Sequence, residues 1–117
     1  MRRLLFALSL LLGGAACSRL ADDPTKTEEP PALIIDVRSE QEYAQGHLPG
    51  AILIPYDQIG ERIGKYAPDR ATKIGLYCRS GRRAGSAKAT LEKMNYSAVE
   101  NLGGMEDAAK KLNFDHN

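Results

Sequence analysis

The sequence predicts an α/β fold: a small, mainly parallel sheet flanked by helices. One observation predicts it, and two others exclude competing classes. From residue 32 onward, short apolar runs rich in β-branched residues alternate with segments of helical character. The composition, 43% hydrophobic and 26% charged over 117 residues, is that of one globular domain without collagen, heptad or low-complexity periodicity. Finally, two cysteines, Cys17 and Cys78, are too few for a disulfide framework.

The first segment is set apart from that fold. Met1-Arg2-Arg3 precedes an apolar stretch from Leu4 to Ala16, interrupted by Ser9 and ending in small residues before Cys17. This is the three-part pattern of a secretory signal, and it is too short to span a bilayer as a finished helix. Residues 1–16 are therefore expected to be a signal peptide. Gly14-Ala15-Ala16-Cys17 resembles a bacterial lipoprotein signal, with Gly14 where Leu is usual. Cys17 is the expected lipid attachment point, and with it a membrane tether. Small residues at Gly14 and Ala16 also suit an ordinary signal peptidase. Either route predicts export to a bacterial periplasm or cell envelope. Removing residues 1–16 leaves 14 basic and 15 acidic residues. A chain so balanced lacks the electrostatic footprint of a nucleic-acid binder. Residues 17–31 are polar and proline-containing and read as a linker or tether. The folded domain is expected at 32–117.

Within that domain, Ala32 to Val37 reads as a buried strand. Ser39-Glu40-Gln41-Glu42 is a capping box that opens a helix of about two turns, ended by Gly46-His47-Leu48-Pro49-Gly50. Ala51 to Pro55 reads as a second buried strand, and Tyr56 to Tyr66 as a helix weakened by Gly60 and Gly64. Ile74 to Tyr77 is a third strand running straight into Cys78. Ala84 to Asn95 is a helix with Ala84, Ala87, Leu91 and Met94 on one face. Tyr96 to Asn101 reads as a fourth strand and Met105 to Leu112 as a last helix.

Cys78 thus stands at the C-terminal end of a strand, where open parallel sheets bind their ligands. Arg79-Ser80-Gly81-Arg82-Arg83 follows, and then a helix. The N–H groups of such a loop can turn inward as an anion-binding nest, and the helix start adds the positive end of its dipole. Arg79, Arg82 and Arg83 add three cations. All three effects favour thiolate, so the Cys78 pKa is expected below the free value of about 8.5. An inert core cysteine beside a solvated basic loop is the plainer alternative, but three arginines beside a strand-end thiol point to an anion. The histidines are His47 and His116, and no ligand pair has zinc-like spacing, so no metal is expected.

Several ordered motifs carry a resemblance. Ile35-Asp36-Val37-Arg38, Glu42-Tyr43, Gly46-His47-Leu48-Pro49-Gly50-Ala51, Cys78-Arg79-Ser80-Gly81-Arg82-Arg83 and Asn101-Leu102-Gly103-Gly104 together resemble the rhodanese family. With the short length and the export signal, the chain is most similar to its single-domain periplasmic type. The resemblance implies a rhodanese-like fold and thiosulfate sulfurtransferase activity. It makes Cys78 the persulfide-forming nucleophile and Arg79, Ser80, Gly81, Arg82 and Arg83 the substrate-binding loop. The implied partners are a small anionic sulfur donor such as thiosulfate and a cyanide or thiol acceptor, with no cofactor. Two departures suggest a trimmed domain with a more open site: residues 18–31 offer no extra strand and helix, and Met105 stands where an aromatic residue often follows the Gly-Gly pair. Two alternatives stay open. Related phosphate or arsenate enzymes place an Arg after Cys and five intervening residues. That position is Ala84 here, with Arg83 one residue earlier. A non-catalytic rhodanese-like binding module is the other, although such modules typically lose the Cys.

The remaining polar residues receive structural roles. Asp36 is expected to cap the turn after its strand, with a supporting part in orienting arginine side chains or a water. Arg38 and Glu42, four apart, are expected to pair at the helix start. His47 reads as a structural hydrogen-bonding residue, and Glu61, Arg62 and Lys65 as a solvated helix face. His116 receives no role.

Overall fold

A computed structural model describes residues 29–114. The expected signal peptide, Cys17, most of the linker and His116 lie outside the described residues.

The elements follow in the order β1 (Leu33–Asp36), α1 (Glu40–Ala44), β2 (Ile52–Leu53), a 3-10 turn (Tyr56–Gln58), α2 (Ile59–Tyr66), β3 (Ile74–Cys78), α3 (Arg82–Lys93), β4 (Val99–Gly104) and α4 (Met105–Lys111). The four strands form one sheet in the order β2-β1-β3-β4, and every pairing is parallel. All strands therefore end on the same edge, which gathers Asp36, Cys78 and Gly104 there.

Strand β3 is central and buried throughout, so its residues serve both faces alternately. Ile74, Leu76 and Cys78 pack with Ile59, Ile63, Ala84, Ala87 and Leu91 of α2 and α3. Tyr77 packs on the other face with Leu48, Ala51, Leu102, Ala108 and Ala109, under α4. Each fully buried Ile or Leu contributes roughly 1.5–3 kcal/mol against exposure. The apolar face expected on α3 is the buried one, with Met94 packed at its margin.

Several boundaries differ from the sequence reading, and four of them bear on the site. Helix α1 is only five residues long: its Ser39–Glu42 capping box is present, but the Gln45 N–H already closes on the Gln41 and Glu42 carbonyls. Strand β2 is a two-residue, half-buried edge strand rather than a buried one. Helix α3 starts two residues earlier than expected, at Arg82, because Gly81 turns the chain at φ +98°. Strand β4 starts three residues later than expected. Asn95 ends α3 at φ +74°, and Tyr96 is spent on the connection, its hydroxyl donating to the Ala67 carbonyl at 2.6 Å.

Candidate active site

The loop Arg79–Gly81 joins the end of β3 to the start of α3, and Cys78 lies at its base, wholly buried, as a free thiol. Gly81 donates its N–H to Cys78 Sγ at 2.9 Å. Burial pushes the thiol pKa up, but the N–H groups of Ala84, Ser80, Gly81 and Arg83 outweigh it and hold the thiol below its ordinary value. The nest read from the sequence is therefore present. The backbone, rather than the guanidinium groups, dominates the stabilisation of the sulfur anion.

The three loop arginines divide. Arg83, in the first turn of α3, is tied to Glu42 of α1: Nη1 donates to Oε1 at 2.9 Å and Nη2 to Oε2 at 3.1 Å. Arg79 reaches the same carboxylate at 3.7 Å, with a side chain 72% exposed. Arg82 is exposed and has no ion-pair partner among the described residues. Ser80 is exposed as well.

The expected Arg38–Glu42 pair does not form. Arg38 turns the other way, donating from Nε to both Asp36 oxygens at 2.9 and 3.0 Å and from Nη2 to Oδ2 at 2.7 Å. Nη2 also donates to the Gly46 carbonyl at 2.7 Å, which anchors the following turn. Asp36 is fully buried and Arg38 nearly so. A buried carboxylate leaves Arg38 the better desolvated partner, while Glu42 faces the cations of the Cys78 loop. The turn-capping role expected of Asp36 is present too, since its Oδ1 accepts the Arg38 N–H at 2.9 Å. His47 stacks on the Tyr43 ring with centroids 3.6 Å apart, and its Nδ1 lies 2.9 Å from the Tyr43 carbonyl, in keeping with a structural part. Glu61, Arg62 and Lys65 are exposed as expected.

Two residues take parts in the site that the sequence reading does not give them. Glu42 is the hub for Arg83 and Arg79. Arg83, the Ser39 N–H and the other contacts at the helix start bring its pKa from the ordinary 4.5 down to about 2. Because the folded pKa lies below the unfolded one, these contacts stabilise the fold above about pH 4.5 and lose that contribution as pH falls toward 2. A Glu42→Gln variant is expected to show a shallower fall of Tm than the wild type across this acid window. Identical slopes in thermal melts at matched pH would remove the pairing from the account.

Asn101, on β4, is the second. Its Nδ2 donates to the Gly81 carbonyl at 2.9 Å and its Oδ1 accepts the Gly103 N–H at 2.9 Å. The signal was visible in the sequence as part of the Asn101-Leu102-Gly103-Gly104 run, but its target lies twenty residues away. The two glycines allow the close approach. A Cβ on Gly104 would fall 2.3 Å from the Arg79 carbonyl, and Gly103 has φ +90°.

Beyond the strand ends lies an open pocket of about 440 Å³, lined by Arg38, Glu42, Gln45, Gly46, Arg79 and the start of α4 from Gly104 to Asp107. Its walls carry both signs of charge. Met105, where an aromatic side chain was noted as usual, lines it. No helix among the described residues is long and apolar enough to cross a membrane.

Comparison with known proteins adds to this geometry. A family model described as the rhodanese-like domain matches residues 20–111. The chain is 45% identical over 75 residues to the thiosulfate sulfurtransferase PspE of Escherichia coli K12, covering 64% of this chain and 72% of that protein. It is 40% identical over 86 residues to a sulfurtransferase of Allochromatium vinosum, covering 74% and 73%. A solved structure described as a rhodanese with anions from E. coli is similar at TM-score 0.62 and 44% identity, covering 64% of this chain and 88% of that one.

Proposed function

This chain belongs to the rhodanese family, and on that premise we propose that it is a thiosulfate sulfurtransferase working through a persulfide on Cys78. The observation that carries the reading is the Gly81 N–H aimed at Cys78 Sγ within a ring of loop N–H groups. Such donors favour an anion at that point before any substrate arrives. The sulfurtransferase names of the relatives support the reaction class.

The steps follow from the chemistry of the thiolate. Cys78 Sγ attacks the outer sulfur of thiosulfate, a new S–S bond forms, and the bond to the sulfonate sulfur breaks. Sulfite leaves with that electron pair. The terminal sulfur of the Cys78 persulfide carries the negative charge, which the N–H groups of the loop can receive. Cyanide or a thiolate then attacks this terminal sulfur and releases the Cys78 thiolate, giving thiocyanate or an acceptor persulfide. No proton needs to be removed from the nucleophile when its pKa is already low, so His47 is not required as a base. Arg79 and Arg82, exposed on the loop, are the cations available to the donor's sulfonate. Arg83 contributes mainly through Glu42.

The oxyanion alternative is not favoured by the local geometry. At the position where those enzymes use a guanidinium stands Ala84, fully buried and presenting only its N–H to the sulfur. The N-terminal pattern supports export to a bacterial periplasm or envelope, with Cys17 as lipid attachment point.

Mass spectrometry of the mature protein with and without thiosulfate tests the reaction and the processing together. The expected result is one added sulfur on Cys78, removed by cyanide, and a chain starting at a lipid-bearing Cys17. Initial rates against thiosulfate and cyanide are expected to give parallel double-reciprocal lines, as a covalent intermediate requires. Thiosulfate turnover without added sulfur on Cys78 would overturn the mechanism. A soluble, unmodified N-terminus would overturn the lipid attachment alone.

A further inference from the structure

The edge of the sheet next to Cys78 contains an irregularity with a consequence for the sulfur. Between Leu76 and Cys78, β3 advances two residues while β4 advances three, from Asn101 to Gly104. The extra residue on β4 is a bulge with Gly103 at φ +90°, and bulges re-aim neighbouring side chains. Here the re-aimed chain contains Asn101. Its Oδ1 closes the bulge on the Gly103 N–H, which fixes the carboxamide plane and turns Nδ2 toward the loop. Nδ2 then donates to the Gly81 carbonyl.

That carbonyl is already in use. It accepts the Gly85 N–H at 2.9 Å as the first hydrogen bond of α3, so Asn101 is its second donor. Gly81 itself stands at φ +98°, and a Cβ there would lie 3.3 Å from Gly103 Cα. A residue with so few steric restraints is conformationally free unless something else holds it. The Asn101 bond and the Gly103 contact both come from β4, and both act on the peptide whose N–H faces the sulfur.

We propose that Asn101 is a positioning residue of the reaction: by pinning the Gly81 carbonyl to β4 it keeps the Gly81 N–H aimed at Cys78 Sγ. It touches neither the sulfur nor a donor. This rests on the persulfide reading only for its effect on turnover; its effect on the thiol stands apart from that reading. Among the charged groups around the loop, Arg82 is exposed with no ion-pair partner among the described residues, and the others are paired. Arg79 and Arg83 are drawn to Glu42 of α1, Asp36 at the end of β1 is held by Arg38, and Asp107 of α4 accepts the Gly104 N–H at 3.3 Å. Asn101→Ala changes none of these charges.

The test is thiolate ultraviolet absorbance followed against pH in the full chain, with the Cys78→Ser spectrum subtracted to remove Cys17. Relative to wild type, Asn101→Ala is expected to raise the Cys78 midpoint by about one pH unit, as expected for weakening one hydrogen bond to a charged acceptor. At neutral pH, kcat/KM for thiosulfate is expected to fall roughly tenfold, with part of the loss regained at higher pH. A merely structural role would lower Tm and leave the midpoint in place. Asn101→Asp, nearly isosteric, keeps the acceptor for Gly103 and loses the donor to Gly81. Its midpoint is expected to stay raised in high salt, where the effect of an added charge is screened. An unchanged midpoint in either folded variant overturns the proposal, as does an Asn101→Asp shift that vanishes in high salt. A wild type without sulfur transfer but with the midpoint shift would overturn the proposed reaction and leave the positioning role standing.

Discussion

Replacing Cys78 by Ser is expected to abolish sulfur transfer, lowering the rate at least about a thousandfold, because the persulfide cannot form on an alcohol. The fold is expected to survive. The serine hydroxyl is smaller than the thiol, and it would still accept the Gly81 N–H that meets Sγ at 2.9 Å in the wild type. The neighbouring core of Ile74, Leu76, Ala84 and Ala87 is unchanged by the substitution. Circular dichroism and Tm close to wild type, together with loss of thiocyanate formation, are the paired outcome. Retained thiocyanate formation by the folded variant would remove Cys78 from the reaction.

The second large effect is on stability. In Arg38→Ala, the fully buried Asp36 carboxylate keeps the backbone N–H of residue 38 but loses three guanidinium contacts. Removing one partner of a buried pair costs about 3–5 kcal/mol, a large share of the roughly 5–15 kcal/mol that holds a domain together. For a domain this small, a fall in Tm of more than about 10 °C is expected. The Gly46 carbonyl is also released, which loosens the turn leading into Leu48 and Ala51. Combining Arg38→Met with Asp36→Asn removes both charges while keeping an oxygen for the turn, and is expected to recover part of the loss. A Tm within a few degrees of wild type for Arg38→Ala would show that water reaches Asp36 and that the pair is not isolated.

The elements and the nucleophile were legible in the sequence because their signals are local. Strand–helix alternation, the Ser39–Glu42 capping box, the Ala84, Ala87 and Leu91 face, and a cysteine between a buried strand and a glycine-containing basic loop each depend on near neighbours. A period of two or 3.6 residues, or a cap three residues long, needs no knowledge of what packs alongside. The tertiary structure decided the partners and the limits of the elements. Arg38 and Glu42 are well spaced for a pair on one helix, yet each finds a better partner elsewhere: a buried carboxylate at the end of β1, and an arginine forty-one residues along the chain. Strand β4 runs to Gly104 because its register is set by β3 and a bulge, not by its own pattern. Asn101 had no meaning from spacing alone, since the carbonyl it holds comes from the other side of helix α3. The sulfur's environment divides the same way. That a loop of N–H groups would surround Cys78 follows from a strand, a glycine and a helix in sequence. Where two of the loop arginines turn follows from Glu42, which meets Arg79 and Arg83 only once α1 is folded against the start of α3. Long-range contacts settle where charge is neutralised, and no local pattern carries that information.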